Sequence, residues 1–370
     1  MQASLRAVPE WESDEERLRS FARALDQLRG EVEADLGAAD TKHIERVCAW
    51  SARCEVLGRG LIHFSLEPVS FMAGVVTLWL HKSLELMEIG HMALHGAYDG
   101  MPGLEPLHAR RFSWKAPIDE ASWRAGHNHR HHGYTNIEGE DPDLDFAGLR
   151  LSARVRYRRF HGLQPLSNLF TWFGFAASIN LHVTGMIDIY LRQGAPLALA
   201  DREAKTVGAA KRAFWSKTLR YYGREYVLFP LLAGPFFWKP LLGNVLSEVG
   251  RDLYAAAVIY CGHVGAADYP RGTRASSRAQ WYVMQAESSR DIEIPRWLSI
   301  LCGGLDKQVE HHLFPRLPPN RLREIAPRVR KICGDHGVRY RSASWQCTLG
   351  EVLRELRRLS VPNAAHLAAV

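Results

Sequence analysis

The histidines constrain this chain more than any other feature. His91 and His95 form one cluster, His127, His131 and His132 a second, and His311 and His312 a third behind Gln308. His263 stands between the second and third and brings the set to eight. Neutral imidazole ligates iron, copper or zinc, and eight are too many for one ion. On an α-helix adjacent histidines point about 100° apart, so a His-His pair serves two neighbouring ions better than one. The pattern predicts a dinuclear, nitrogen-rich site.

The spacings support this reading unequally. His91 and His95, four apart, share a helix face, and Glu88 one turn earlier is placed to orient a ligand. Alone, such a pair is as well explained by two satisfied core histidines. The run His127-Asn-His-Arg-His-His132 is harder to dismiss, since four histidines in six residues are costly unless they bind something. His129 falls out of phase with His127 and His131 and is expected not to ligate. Gln308-Val-Glu-His-His312 repeats the adjacent pair. His182, in Asn180-Leu-His-Val-Thr184, reads as a satisfied polar residue.

Hydropathy adds a membrane expectation. The mean hydropathy of −0.21 over 370 residues suits a soluble chain, so spans must show locally. Apolar character rises over 57–80, 168–191 and 226–267. The last is long enough for two spans, 226–246 and 249–267, broken near Gly243-Asn244; 168–191 reads as interfacial or re-entrant. Eight Lys/Arg between 192 and 225 place that segment in the cytoplasm. The second and third clusters then share one membrane face. Residues 1–56 read as a cytoplasmic helical extension with a capping box at Ser13 and Glu16, 57–340 as the main domain, and 341–370 as a helical tail capped by Thr348 and Glu351.

The net charge of +7 suits an anionic surface or acidic partner. Nucleic acid is excluded as a partner because the basic residues are scattered. Six cysteines without a Cys-x-x-Cys read as reduced thiols, and the N-terminus has no secretory signal shape.

The combined pattern H-x3-H, H-x3-HH and Q-x2-HH resembles the membrane-bound fatty acid desaturases, above all the front-end branch. Trp123-Arg-Ala-Gly-His127-Asn, Gly133-Tyr-Thr-Asn136 with Asp141-Pro-Asp143, and Gly303-Gly-Leu-Asp-Lys-Gln-Val-Glu-His-His-Leu-Phe-Pro-Arg-Leu-Pro318 carry the resemblance. It implies an all-α integral membrane protein of about four transmembrane helices plus interfacial helices, with a cytoplasmic helical cap holding a histidine-rich di-iron site. The implied ligands are His91, His95, His127, His131, His132, His263, His311 and His312. Gln308 stands where another branch of the superfamily uses a ninth histidine, either ligating weakly or binding a metal-bound water.

The implied activity is O2-dependent desaturation of an acyl chain carried on coenzyme A, acyl carrier protein or phospholipid. No His-Pro-Gly-Gly haem motif of a fused cytochrome b5 is present, so the electrons are expected from a separate ferredoxin or cytochrome b5-type carrier. A hydroxylase, ketolase or acetylenase of the same superfamily is the alternative outcome. A non-catalytic metal- or lipid-binding membrane protein is the alternative from another class.

Overall fold

A computed structural model describes residues 15–192 and 206–362, with the backbone alone at 191–192. Ser13, Arg202 and Lys205 lie outside the described residues. Helix α1 (Glu15–Asp35) buries Phe21, Leu25, Leu28 and Val32 along one stripe, the three-and-four spacing of an amphipathic helix. Helices α2 (Ala38–Phe64) and α3 (Pro68–Leu84) form a hairpin. Glu67 starts α3 by accepting from the Val69 and Ser70 amides, and Pro68 occupies the first turn, where its missing N–H costs nothing. The two helices approach closely at Gly58, where a Cβ would stand 2.7 Å from the Leu78 amide nitrogen.

Helix α3 runs on into a π-helical turn, Glu85–His91. After a long loop, α4 (Glu120–Trp123) is capped by Asp119 and runs into a second π turn, Arg124–His131. Helices α5 (Gln164–Phe173) and α6 (Phe175–Val183) are separated by Gly174. Helix α7 (Val207–Gly223) continues through a third π turn, Arg224–Leu228, and the chain reverses at Ala233–Phe237. Helix α8 (Trp238–His263) returns along α3 and delivers His263 at its last residue. Then follow α9 (Arg278–Glu287), α10 (Gln308–Leu313), α11 (Pro319–Asp335) and α12 (Trp345–Leu359). Strands β1 (Asp291–Glu293) and β2 (Ser342–Ser344) pair in parallel, with Asp291 opposite Ser342.

The membrane expectation is corrected here. No helix among the described residues is long and apolar enough to cross a membrane. The block 57–80 is not one segment, because the chain turns back between Phe64 and Pro68. The block 226–267 breaks at Ala233–Phe237, and Gly243-Asn244 lies inside the continuous α8. Charge explains the rest. Arg59 on α2, Lys82 on α3, Glu225 on the third π turn and Glu248 on α8 meet in a buried network, with Lys82 Nζ donating at 3.0 Å to Glu225 and 3.1 Å to Glu248. Their charges keep α2 and α8 from being apolar enough to cross a membrane, and α3, with 17 residues, is too short. With no crossing helix, the argument that set the sidedness of the 192–225 segment loses its premise.

Two further expectations change. Ser344, not Thr348, caps α12, accepting from the Cys347 amide. The boundary placed at residue 56 falls inside α2. All six cysteines are free thiols.

Candidate metal centre and its cavity

The π turns decide where the first two clusters point. In the second turn the His132 amide donates to the His127 carbonyl at 3.0 Å, a five-residue repeat that sets the two rings edge to face. Their ring centroids lie 4.8 Å apart. The expected divergence of adjacent histidines holds on α10, where His311 and His312 turn to different sides. His91 leaves the first π turn and brings its Nε2 to 3.2 Å from His95 Nε2. Gly303 lets the third cluster close on this turn: at φ +62° its Cα faces the Met87 carbonyl, and a Cβ would stand 2.2 Å from that oxygen.

All eight histidines converge. His91, His95, His127 and His311 form one group of ring nitrogens, and His131, His263 and His312 a second, each with its ligand atoms within 4.8 Å of one another. His132 lies between them, stacked on His312 at 4.2 Å and 4.7 Å from His95. His131 Nε2 is 3.3 Å from His263 Nε2. Two nitrogens bound to one ion at about 2.1 Å are about 3.0–3.4 Å apart. Both close pairs therefore have the separation of neighbouring ligands. A third group, His127, His131 and Asp143, is not an ion site, because Asp141 already holds the His131 nitrogen that faces Asp143.

The outward nitrogens are held by fixed acceptors. His131 Nδ1 meets both Asp141 oxygens at 3.1 Å, His263 Nδ1 the Ser288 carbonyl at 3.0 Å, and His312 Nδ1 the Gln285 side-chain oxygen at 2.9 Å. Each acceptor fixes a tautomer with the free lone pair on Nε2, facing inward. Several inward atoms are buried with no hydrogen-bond partner: His127 Nε2, His312 Nε2 and both nitrogens of His132 and His311. Buried polar atoms are rarely left so, and an ion in each group would satisfy one nitrogen of each of its rings. Burial holds these imidazoles far below their ordinary value, His91 and His263 at about 3, so they are neutral ligands. At His131 burial lowers the value, but Asp141 and Asp143 outweigh that and raise it to about 9, so the carboxylates favour positive charge at the place where a bound cation would supply it.

The remaining candidates fall as follows. Gln308 Nε2 lies 2.8 Å from His263 Nε2, and its Oε1 is buried without a partner. His129 is exposed and joins neither group. His182 accepts from the Ala147 amide and faces Asp143 at 3.2 Å. Glu88 does not orient a ligand, since Arg323 holds its carboxylate at 2.7 Å. Sequence reasoning quoted Thr135 within Gly133-Tyr-Thr-Asn136 without giving it a role, and missed Gln285 and Arg290. Arg290 donates to the Cys261 and Val264 carbonyls at 2.7 and 2.6 Å and ties the end of α8 in place. No local motif marks Gln285 or Arg290.

A cavity of about 450 Å³ opens on both groups at His91, His127, His131 and His263. Leu86, Met87, Trp114, Phe175, Ile179 and Ile259 make much of its wall apolar. It has the character of a site for an apolar ligand brought to a metal centre.

The fatty acid desaturase family model matches residues 68–344. An NADPH-dependent stearoyl-CoA 9-desaturase of Mycobacterium tuberculosis is 33% identical over 353 residues, which cover 94% of this chain and 81% of that protein. An sn-1 linoleoyl-lipid 6-desaturase of Synechocystis sp. is 25% identical over 291 residues, 74% of this chain and 77% of the relative. With most of its length matched and its histidines gathered on one apolar cavity, the chain belongs to the fatty acid desaturase family and is an oxidoreductase acting on acyl chains.

Proposed function

We propose that the protein is an O2-dependent di-iron acyl desaturase that sets a cis double bond into an acyl chain lying in the cavity. The observation that carries this reading is the pair of nitrogen-only groups open to one apolar cavity. His91, His95, His127 and His311 hold one iron, and His131, His263 and His312 the other. His132 serves the centre from between them, and Gln308 lies beside His263 to ligate weakly or bind a metal-bound water. An unactivated methylene has no acidic proton, and bound iron supplies the redox chemistry that its oxidation requires. Zinc fits the nitrogens but lacks that chemistry.

The chain's own residues do the positioning. Asp141, the Ser288 carbonyl and Gln285 orient His131, His263 and His312. The apolar wall excludes water and lays the chain past the ring nitrogens. The names of the relatives, a stearoyl-CoA and a linoleoyl-lipid desaturase, support a thioester- or lipid-linked acyl chain; acyl carrier protein remains a third carrier within the same chemistry. Electrons come from a separate ferredoxin or cytochrome b5-type protein.

The bilayer enters as a surface. Phe64, Leu66 and Val69 at the α2–α3 tip are 83%, 98% and 78% exposed, and Leu231 and Leu232 at the α7–α8 reversal are exposed beside them. His63 joins the two tips through the Phe229 carbonyl at 3.3 Å. An apolar patch of this kind is suited to lie in the acyl edge of a membrane.

Expression in a bacterial host with a ferredoxin system, followed by gas chromatography–mass spectrometry of total acyl chains, tests the activity. A product lacking two hydrogens, absent with His131→Ala, supports desaturation. A product carrying one added oxygen replaces the reading with hydroxylation.

A further inference from the structure

The histidine centre has a second opening. A separate cavity of about 680 Å³ shares no lining residue with the first and ends on His95 and His132. Its rim is basic, with Arg110, Arg124 and Arg316 against the single carboxylate of Asp99. Asp99 is committed locally, accepting from the Ala109 amide at 2.8 Å and facing His108 at 3.8 Å. Arg124 donates to the Ala109 carbonyl at 2.9 Å, whereas Arg110, Arg316 and the neighbouring Arg111 are exposed.

The two cavities differ in sign. The apolar one carries five carboxylates (Asp143, Asp145, Asp188, Asp268 and Glu355) against two arginines. An acidic protein is therefore turned away from that mouth and drawn to the other. The second cavity reaches the ligand set at His95 and His132 without the apolar wall of the first.

We propose that the rim of Arg110, Arg124 and Arg316 is the docking site of an acidic one-electron redox protein, with His95 and His132 receiving its electrons. This rests on the redox reading above. For each double bond the acyl chain gives up two hydrogens, two reduced carriers give one electron each and leave oxidised, and solvent supplies two protons. One O2 becomes two waters.

The test uses the full chain and an acidic plant-type [2Fe–2S] ferredoxin as the probe. Isothermal titration calorimetry measures their binding with and without added iron, at low and at high salt. Binding should weaken as salt rises, and the double variant R110E/R316E should bind at least about tenfold more weakly. Both side chains are exposed, and the melting temperature of the variant checks its fold. Equal affinity of variant and wild type overturns the proposal.

Turnover adds a second arm. Reduced with dithionite without air, freed of the excess and then given O2, the two proteins should form equal product in a single turnover, while ferredoxin-driven turnover falls in the variant alone. A variant slow with both reductants overturns the proposal, because those arginines then act inside the enzyme. A wild type inactive with both sinks the redox reading, and the binding arm still judges the docking site on its own.

Discussion

His131 and His263, 132 positions apart in the chain, bring their Nε2 atoms to 3.3 Å. Each is held from behind by a different acceptor, Asp141 and the Ser288 carbonyl. One residue comes from a π turn and the other from the last residue of a 26-residue helix. Removing either side chain leaves the other without its neighbour. His131→Ala or His263→Ala is expected to abolish turnover and lose about half the bound iron. Metal analysis alongside the melting temperature checks this; full iron content in both variants would refute the second ligand group.

Arg290 fixes the end of α8 from outside the metal centre. Its guanidinium bonds two carbonyls of the final turn and Glu351, the latter at 2.9 Å. A cation at a helix C-terminus is favourable, and these bonds are charge-assisted. Arg290→Met should cost about 3 kcal/mol and weaken iron binding about tenfold through His263. Arg290→Lys should recover little, since one ammonium cannot span both carbonyls. Denaturant melts and competitive metal titration read the two effects separately.

Gly303 tests the contact between the third cluster and the first π turn. Alanine there meets the Met87 carbonyl at 2.2 Å and the Glu88 amide nitrogen at 2.9 Å, at φ +62°. The expected loss is about 2–4 kcal/mol, with weaker metal binding because His91 must shift. Gly30 in α1 has nothing within 4 Å of a Cβ, so Gly30→Ala should stabilise by about 0.5–1 kcal/mol. Thermal melts of the pair would contradict this if Gly303→Ala were as stable as wild type.

The buried ion network predicts acid sensitivity away from the metal. Burial raises the Glu225 carboxyl, but Lys82 and Arg59 outweigh it and hold it at about 2, below its ordinary 4.5. A depressed carboxyl contributes stability that is complete above 4.5 and is lost as pH falls toward 2. Glu225→Gln should therefore cost most near pH 6, and the gap to wild type should narrow on acidification. Parallel melts at pH 6 and pH 3 decide it; a gap that widens at pH 3 would show that Glu225 is not the charged partner.

The histidine cluster was more legible than the fold. Adjacent and four-spaced histidines announce ligand geometry whatever element carries them, and the structure gathers all eight. What surrounds them depends on contacts between distant residues. Glu88 reads as a partner for His91 until Arg323, 235 positions on, takes its carboxylate. Averaged hydropathy over 57–80 hides a reversal made by only three residues, Ser65 to Glu67. Gly243-Asn244 looks like a break, yet Gly243 gives room to Ile62 and Asn244 bonds the Glu225 carbonyl. The charges of α2, α3 and α8 read as exposed until their partners on other helices are known.

The π turns make this centre sensitive to chain length as well as to side-chain chemistry. Such a turn holds one residue more than the α turn it interrupts. Deleting one residue between Trp123 and His127 lets the turn close into an α repeat, in which residues five apart point about 140° apart. His127 and His132 would then no longer face each other, although no histidine had been touched. In inheritance, a one-codon deletion could silence this enzyme while leaving all three of its signature clusters in place.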